Sequence, residues 1–263
     1  MTSADEDRRL RRSGSGLRRT MADGPAYGLF LVSGSAMLAE AAAYTRIDWA
    51  VVDMEGAAMT KADALHQVQA LSGTPVTPIV RVPRLDRHDI EFALDLGVAG
   101  VMVPKVDRAE DAERAARFTR YPPQGARGVN PIRASAYYSD SERYFETANH
   151  EVLCIVQIES REAVRNAGAI ARTEGVDLLF IGTGDLAMDL GQPGRPGGPA
   201  FDEARQAVLA ACAAAGKPAG IFAPSTGLAR QYAKEGFRLV AVGNEVKFFV
   251  QSAALAVTML RKR

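Results

Sequence analysis

The chain has 263 residues, 47% of them apolar and 24% charged, with a formal net charge of +1. That length suffices to bury a sizeable core, as one large α/β domain or two smaller ones. The near-zero charge argues against a nucleic-acid-binding surface, and no apolar stretch reaches the length of a membrane span.

The opening MTSADEDRRLRRSGS (1–15) mixes acids with arginines and lacks the apolar segment of a secretory signal, so it reads as a solvated, disordered tail. From residue 16 the remainder, 16–263, reads as a single domain. Eight short Val/Ile/Leu-rich runs follow: AYGLFLV, DWAVVDME, TPIVRVP, GVMVPKV, EVLCIVQIES, DLLFIGTGD, PAGIFAP and RLVAVGNE. They hardly alternate with polar residues, the pattern of parallel strands buried on both faces. Helical patterns fill the gaps: SAMLAEAAAY, KADALHQVQALS, DIEFALDLG, AEDAERAARFTR, FDEARQAVLAACAAAG and TGLARQYAKEG, several ending in glycine. Eight βα units in a chain of this length predict a (β/α)8 TIM barrel. A doubly wound sheet needs no eighth strand, and here the glycine-rich SGSG (13–16) precedes the first strand instead of following it.

One connection breaks the rhythm. Between GVMVPKV and EVLCIVQIES, the segment RYPPQGARGVNPIRASAYYSD is predicted to be an ordered excursion over the catalytic end of the barrel or onto a neighbouring subunit. Cys154 and Cys212 fall in a strand and an Ala-rich helix with no metal-ligand spacing, and read as reduced core residues of a cytoplasmic protein.

Polar groups collect at the strand ends that form the catalytic face of such a barrel. The second strand delivers Asp53 and Glu55, the third Arg81, the fourth Lys105, the fifth Gln157 and Glu159, and the sixth Asp185. Glu159 and Asp185 stand one βα unit apart, a natural seat for Mg²⁺ or Mn²⁺, with Co²⁺ as a further option. An arginine opposite a hard cation suits a substrate with a carboxylate beside a developing enolate. Whether Asp53 and Glu55 support the site or only pair with Arg81 stays open on the sequence. Gly182, Thr183 and Gly184 precede Asp185 and allow close backbone approach.

The segments RYPPQGARG, VQIESREAV, FIGTGDLAMDLG and VAVG, with PIVRVP and DLGVAGVMVPKV, resemble the HpcH/HpaI aldolase/citrate lyase superfamily from about residue 16 to the C-terminal helix. The most specific match is QIE followed one unit later by G-x-x-DL. The resemblance implies that Glu159 and Asp185 hold the divalent metal, that Arg81 stabilises a pyruvate enolate and that Gln157 bonds nearby. It implies that the Gly184 and Asp185 backbone N–H groups bind the oxo-acid carboxylate. It further implies a metal-dependent carbon–carbon lyase acting on a 2-oxo acid, assembled as a trimer or hexamer whose C-terminal helix packs on a neighbour.

One departure stands out. The pyruvate aldolases of this family read D-x-E-H after the second strand, whereas this chain reads Asp53-Met54-Glu55-Gly56, with glycine in place of the histidine. The histidine's acidic partner corresponds to Asp95, and Lys105 in VPKV resembles the citrate-lyase-like branch. Proton transfer would then fall to hydroxide on the metal, to Glu55 or to the substrate itself. His66 and His150 read as structural, and His88 as a solvated first-turn residue of a helix capped by Asp86. Three rivals follow. A Schiff-base aldolase would use Lys105 but leave Glu159 and Asp185 without purpose. An acyl-CoA lyase or citrate-synthase-like enzyme would need a phosphate pocket, to which Arg120, Arg127 and Arg133 could contribute. A non-catalytic barrel would have no need of three converging charges.

Overall fold

The computed structural model describes residues 13–194 and 196–261. Helix α1 (Gly14–Asp23) leads into strand β1 (Ala26–Leu31). The other strands are β2 (Trp49–Asp53), β3 (Thr77–Arg81), β4 (Gly100–Val103), β5 (Leu153–Ile158), β6 (Leu178–Ile181), β7 (Ala219–Phe222) and β8 (Leu239–Asn244). Each pairs in parallel with its sequence neighbour, and β8 returns to β1 with Ala26 opposite Leu239, closing an eight-stranded barrel. The expected TIM barrel is therefore the fold, with all eight strands inside the expected runs.

The outer helices are α2 (Ala36–Ala42), α3 (Lys61–Leu71), α4 (Arg87–Asp95), α5 (Ala109–Thr119), α6 (Ser141–Glu151), α7 (Arg161–Arg172), α8 (Thr183–Asp189), α9 (Pro199–Ala214), α10 (Thr226–Glu235) and α11 (Glu245–Arg261). Their starts follow capping chemistry. Thr60 and Asp63 form a reciprocal capping box on α3, and Asp86 accepts from the His88 and Asp89 N–H groups at the start of α4. No helix among the described residues is long and apolar enough to cross a membrane.

Strand residues split by parity into two cores. Ala50, Val52, Val80, Val101, Val103, Cys154 and Val156 face the helices. Phe30, Trp49, Val51, Ile79, Met102, Ile155, Phe180 and Ala241 fill the barrel interior. Gly28 makes room for this filling, because a Cβ there would run into the Trp49 ring. Leu17 and Met21 of α1 join the interior cluster and close the N-terminal end of the barrel. Arg18 fixes that plug by donating to the His150 and Val152 carbonyls and to Asp177. Ser13 caps α1 by accepting from the Gly16 N–H, so residues 13–15 belong to the barrel's end closure; residues 1–12 of the expected tail lie outside the described residues. Cys154 and Cys212 are buried and unpaired, and burial pushes both thiols up to about 12.

The long connection corrects one expectation. It leaves α5 and reaches β5 through α6, so it covers the N-terminal end of the barrel and not the catalytic mouth. Arg120 donates to Asp177, Arg127 to Asp95, and Arg133 to the Leu96 carbonyl and Ser72. Tyr121 meets Tyr144 and Phe145 of α6 edge-on, and Ala148 is the buried residue of that otherwise polar helix. These three arginines thus line no phosphate pocket at the mouth.

Candidate active site

The interior parity of each strand runs on to the C-terminal rim and decides which side chains meet there. Beyond Trp49 and Val51 comes Asp53; beyond Ile79 comes Arg81; beyond Ile155 come Gln157 and Glu159; beyond Phe180 comes Gly182. A pocket of about 150 Å³ results, lined by Asp53, Arg81, Gln157, Glu159, Gly182, Thr183, Gly184 and Asp185 on its polar side. Phe30, Val32, Phe180, Phe222 and Asn244 complete the wall. A larger cavity of about 290 Å³ lies at the opposite end, around Pro78, Ala99 and Val152 at the strand starts. The charged groups choose between them: the smaller cavity is the one with converging chemistry, and its size suits a small organic acid.

Arg81 is the hub. Its side chain is 15% exposed. Asp53 grips it bidentately, Nε to Oδ1 at 2.8 Å and Nη2 to Oδ2 at 2.7 Å. Nη1 pairs with Glu55 Oε2 at 2.9 Å and reaches Gln157 Oε1 at 3.4 Å, and the guanidinium lies 5.1 Å from the Phe30 ring centre. Burial opposes its charge, yet Asp53, Glu55 and Glu159 outweigh that and hold it above the ordinary arginine range. Asp53 is 2% exposed and also accepts from the Glu55 and Gly56 N–H groups. With four donors already on it, Asp53 holds Arg81 in place.

Glu159 is buried at 5% exposure and its Oε2 accepts from the Lys105 N–H at 3.1 Å. Burial, then the nearby Glu55 and Asp185 carboxylates, raise its pKa to about 7 against the opposing Lys105 N–H and Arg81. Gly182 is required beside it, because a Cβ there would fall on the Glu159 carboxyl. Asp185 stands in the first turn of α8, whose cap at Gly182 has no side-chain hydrogen bond. Two crowded carboxylates of this kind fit a divalent cation, which would relieve the repulsion that lifts Glu159. No group of three or more His, Cys, Asp or Glu arranged for a metal exists among the described residues, so a cation here would keep positions for water and substrate.

Lys105 adopts the left-handed region (φ 54°) and reaches Glu55 Oε1 with Nζ at 3.6 Å, its side chain 69% exposed. Lys105 and Glu55 therefore form the rim beside the pocket. Gly56 sits close against this cluster, since a Cβ there would lie 3.0 Å from both Arg81 Nη2 and Asp53 Oδ2.

Asp95 is not brought to this site by its own chain. It ends α4 at the N-terminal side of the barrel, where helices antiparallel to the strands must terminate, and pairs with Arg127 at 2.7 Å. His66 and His150 lie in α3 and α6, and His88 in the first turn of α4, as expected. The residues that sequence reading missed are Phe30, Val32, Phe180, Phe222 and Asn244. The parity of the four apolar ones was readable, but apolar strand residues at the rim look like any other barrel filling; Asn244 lies off the interior parity of Leu239 and Ala241, where the β1–β8 register shifts.

A family model, HpcH/HpaI aldolase/citrate lyase, matches residues 26–252. The chain belongs to the HpcH/HpaI aldolase/citrate lyase family. A hydroxypyruvate/pyruvate aldolase of Chromohalobacter salexigens is 40% identical over 88% of this chain and 92% of its own length. A 2-dehydro-3,6-dideoxy-6-sulfogluconate aldolase of Pseudomonas putida is 37% identical, covering 90% and 92%. The crystal structure of an HpcH/HpaI family protein from Burkholderia cenocepacia superposes with a TM-score of 0.90 at 39% identity, covering 95% of this chain and all of that one. This HpcH/HpaI protein is an enzyme, a carbon–carbon lyase of the aldolase type acting on a 2-oxo acid.

Proposed function

We propose that this enzyme cleaves and forms a carbon–carbon bond next to a pyruvate-type enolate, with Glu159 and Asp185 holding a Mg²⁺ or Mn²⁺ ion. The observation that carries the reading is the meeting of Arg81, Gln157, Glu159 and Asp185 in one small pocket at the strand C-termini. The bound cation would supply Lewis-acid polarisation of the oxo group. The Gly184 and Asp185 N–H groups, at the uncapped start of α8, receive the substrate carboxylate. Arg81, locked by Asp53, faces the oxygen on which negative charge grows as the enolate forms. Phe30, Phe180 and Phe222 make a dry floor that keeps this charge pair from being screened. With Asp53 engaged by Arg81 and two backbone N–H groups and no side chain at Gly56, Glu55 at the mouth carries the proton to and from the substrate methyl.

The exposed apolar side chains of α11 support a homo-oligomer. Phe249, Leu255, Met259 and Leu260 are all more than half exposed, on a helix with no buried residue. A second copy that covers this helix accounts for both.

Deuterium exchange into the methyl group of pyruvate, followed by proton NMR, tests the donor half of the reaction directly. Exchange is expected with Mg²⁺ or Mn²⁺, and not with EDTA or in Glu159→Ala and Asp185→Ala. Unaltered exchange in either variant would overturn the metal assignment.

A further inference from the structure

Glu245 is an acid that the reaction does not use, yet its contacts run to the wall of the substrate pocket. It opens α11 directly after Asn244, itself a wall residue. Its Oε1 accepts from the Val32 N–H at 2.8 Å and from the Ser33 N–H at 2.7 Å. Its Oε2 is buried with no hydrogen-bond partner among the described residues, so one oxygen makes the whole contact. Backbone pairing does not reach this far. The β1–β8 ladder shifts register between Gly28 and Phe30, and its last pair is Phe30 with Asn244. Val32 lies beyond that rung, and the chain turns away through Gly34 in the left-handed region (φ 71°). The carboxylate stands in for the missing rungs by accepting from two loop N–H groups that no strand serves.

What Val32 faces gives this tether a consequence. The pocket has a polar side that includes Arg81, Gln157, Glu159 and Asp185, and an apolar side of Phe30, Val32, Phe180 and Phe222. A 2-oxo acid carries its oxygens on C1 and C2, which belong against the polar side. Its C3 and any substituent there then face the apolar side. Val32, two residues nearer the rim than Phe30, packs against the interior cluster and limits the space left for that substituent.

We propose that Glu245 is a positioning residue that, by fixing Val32, sets how large a C3 substituent the donor oxo acid can carry. This rests on the aldolase reading above.

The test measures deuterium exchange at C3 of pyruvate and of 2-oxobutanoate, which is one methylene longer, with Mg²⁺ present. The readout is the ratio of kcat/KM for 2-oxobutanoate to that for pyruvate, which does not depend on the fraction of enzyme that is folded. In Glu245→Ala the ratio is expected to rise about tenfold, the low end for one methylene in an apolar pocket. Glu245→Gln keeps an accepting oxygen and should leave the ratio as in the wild type. Val32→Ala should raise it by a similar factor, and the double variant should rise no further than either single one, because both open the same wall. Glu245→Asp, whose oxygens stop one methylene short, serves if the alanine variant folds poorly, and the same direction is expected. An unchanged ratio in the Ala and Asp variants overturns the proposal and leaves Glu245 as a first-turn acid that suits the dipole of α11. So does a glutamine variant that behaves like alanine, or effects of Glu245→Ala and Val32→Ala that multiply. Wild-type enzyme that exchanges no pyruvate protons would instead refute the underlying aldolase reading.

Discussion

Asp53 accepts two hydrogen bonds from Arg81 and two from backbone N–H groups, which fixes the guanidinium before any substrate arrives. Preorganisation of this kind is what makes a donor effective in a transition state. Asp53→Asn replaces one accepting oxygen with an amide that faces a donor. The expected outcome is a fall in kcat of about 100-fold, the size seen when one such donor is lost, with KM for the oxo acid much less affected. Steady-state kinetics separates the two. Glu159 makes a second residue-scale prediction. Its folded pKa of about 7 lies above the ordinary 4.5, so the protonated form is favoured by folding. In metal-free protein the stabilisation is complete at low pH and is lost as pH rises through about 7, by up to ~3 kcal/mol. Melting temperatures in EDTA should therefore fall between pH 5 and pH 8, and Glu159→Gln should flatten that slope. Added Mg²⁺ should oppose it, because a cation favours the ionised carboxylate.

At the scale of elements, the site depends on how β5 and β6 end side by side. Register places Gln157 opposite Phe180 and Ile158 opposite Ile181, which brings Gly182 against the Glu159 carboxyl. Gly182→Ala would push a methyl group into that carboxyl. We expect ~1–3 kcal/mol of destabilisation, as for other overpacked sites, and weakened Mn²⁺ binding. Chemical denaturation and calorimetric titration measure the two effects separately. A methyl accommodated with full metal affinity would show that the carboxyl can move aside. The long connection after α5 works at the other end of the barrel, where Arg120, Arg127 and Arg133 tie it to neighbouring elements. Its contribution is to closure of that end, and its Val129, Ile132, Tyr137 and Tyr138 are exposed.

For the whole molecule, helix α11 is the outlier. A helix with no buried residue draws little stability from its own chain, since tertiary packing supplies most helical stability in proteins. Its root is nonetheless tied to the catalytic rim. Glu245 accepts from the Val32 and Ser33 N–H groups, and Lys247 donates to the Pro224 carbonyl. Phe249→Glu combined with Leu255→Glu should shift the protein toward smaller species in light scattering. If the assembly is unaffected by two charges on that face, another surface holds it.

Much of this was written in the order of residues. Eight apolar runs spaced by helical patterns leave few ways to bury both faces of every strand, and a closed barrel satisfies them all. Parity along each strand then turns Asp53, Arg81, Gln157 and Glu159 inward at the rim, because alternation is a property of the backbone itself, whereas Lys105 has the opposite parity to Met102 and reaches the rim through its left-handed backbone. Other features depended on three-dimensional packing. Asp95 looked like part of the site in sequence, yet helix α4 runs against the strands and delivers it to the far end, beside Arg127. Phe30, Phe222 and Asn244 became pocket walls only once β1, β7 and β8 closed the ring next to β6. The division of labour between Asp53 and Glu55 was equally invisible, since it depends on which of Arg81's nitrogens each carboxylate reaches. Local pattern sets which way a side chain points, and only the closed barrel sets what it meets there.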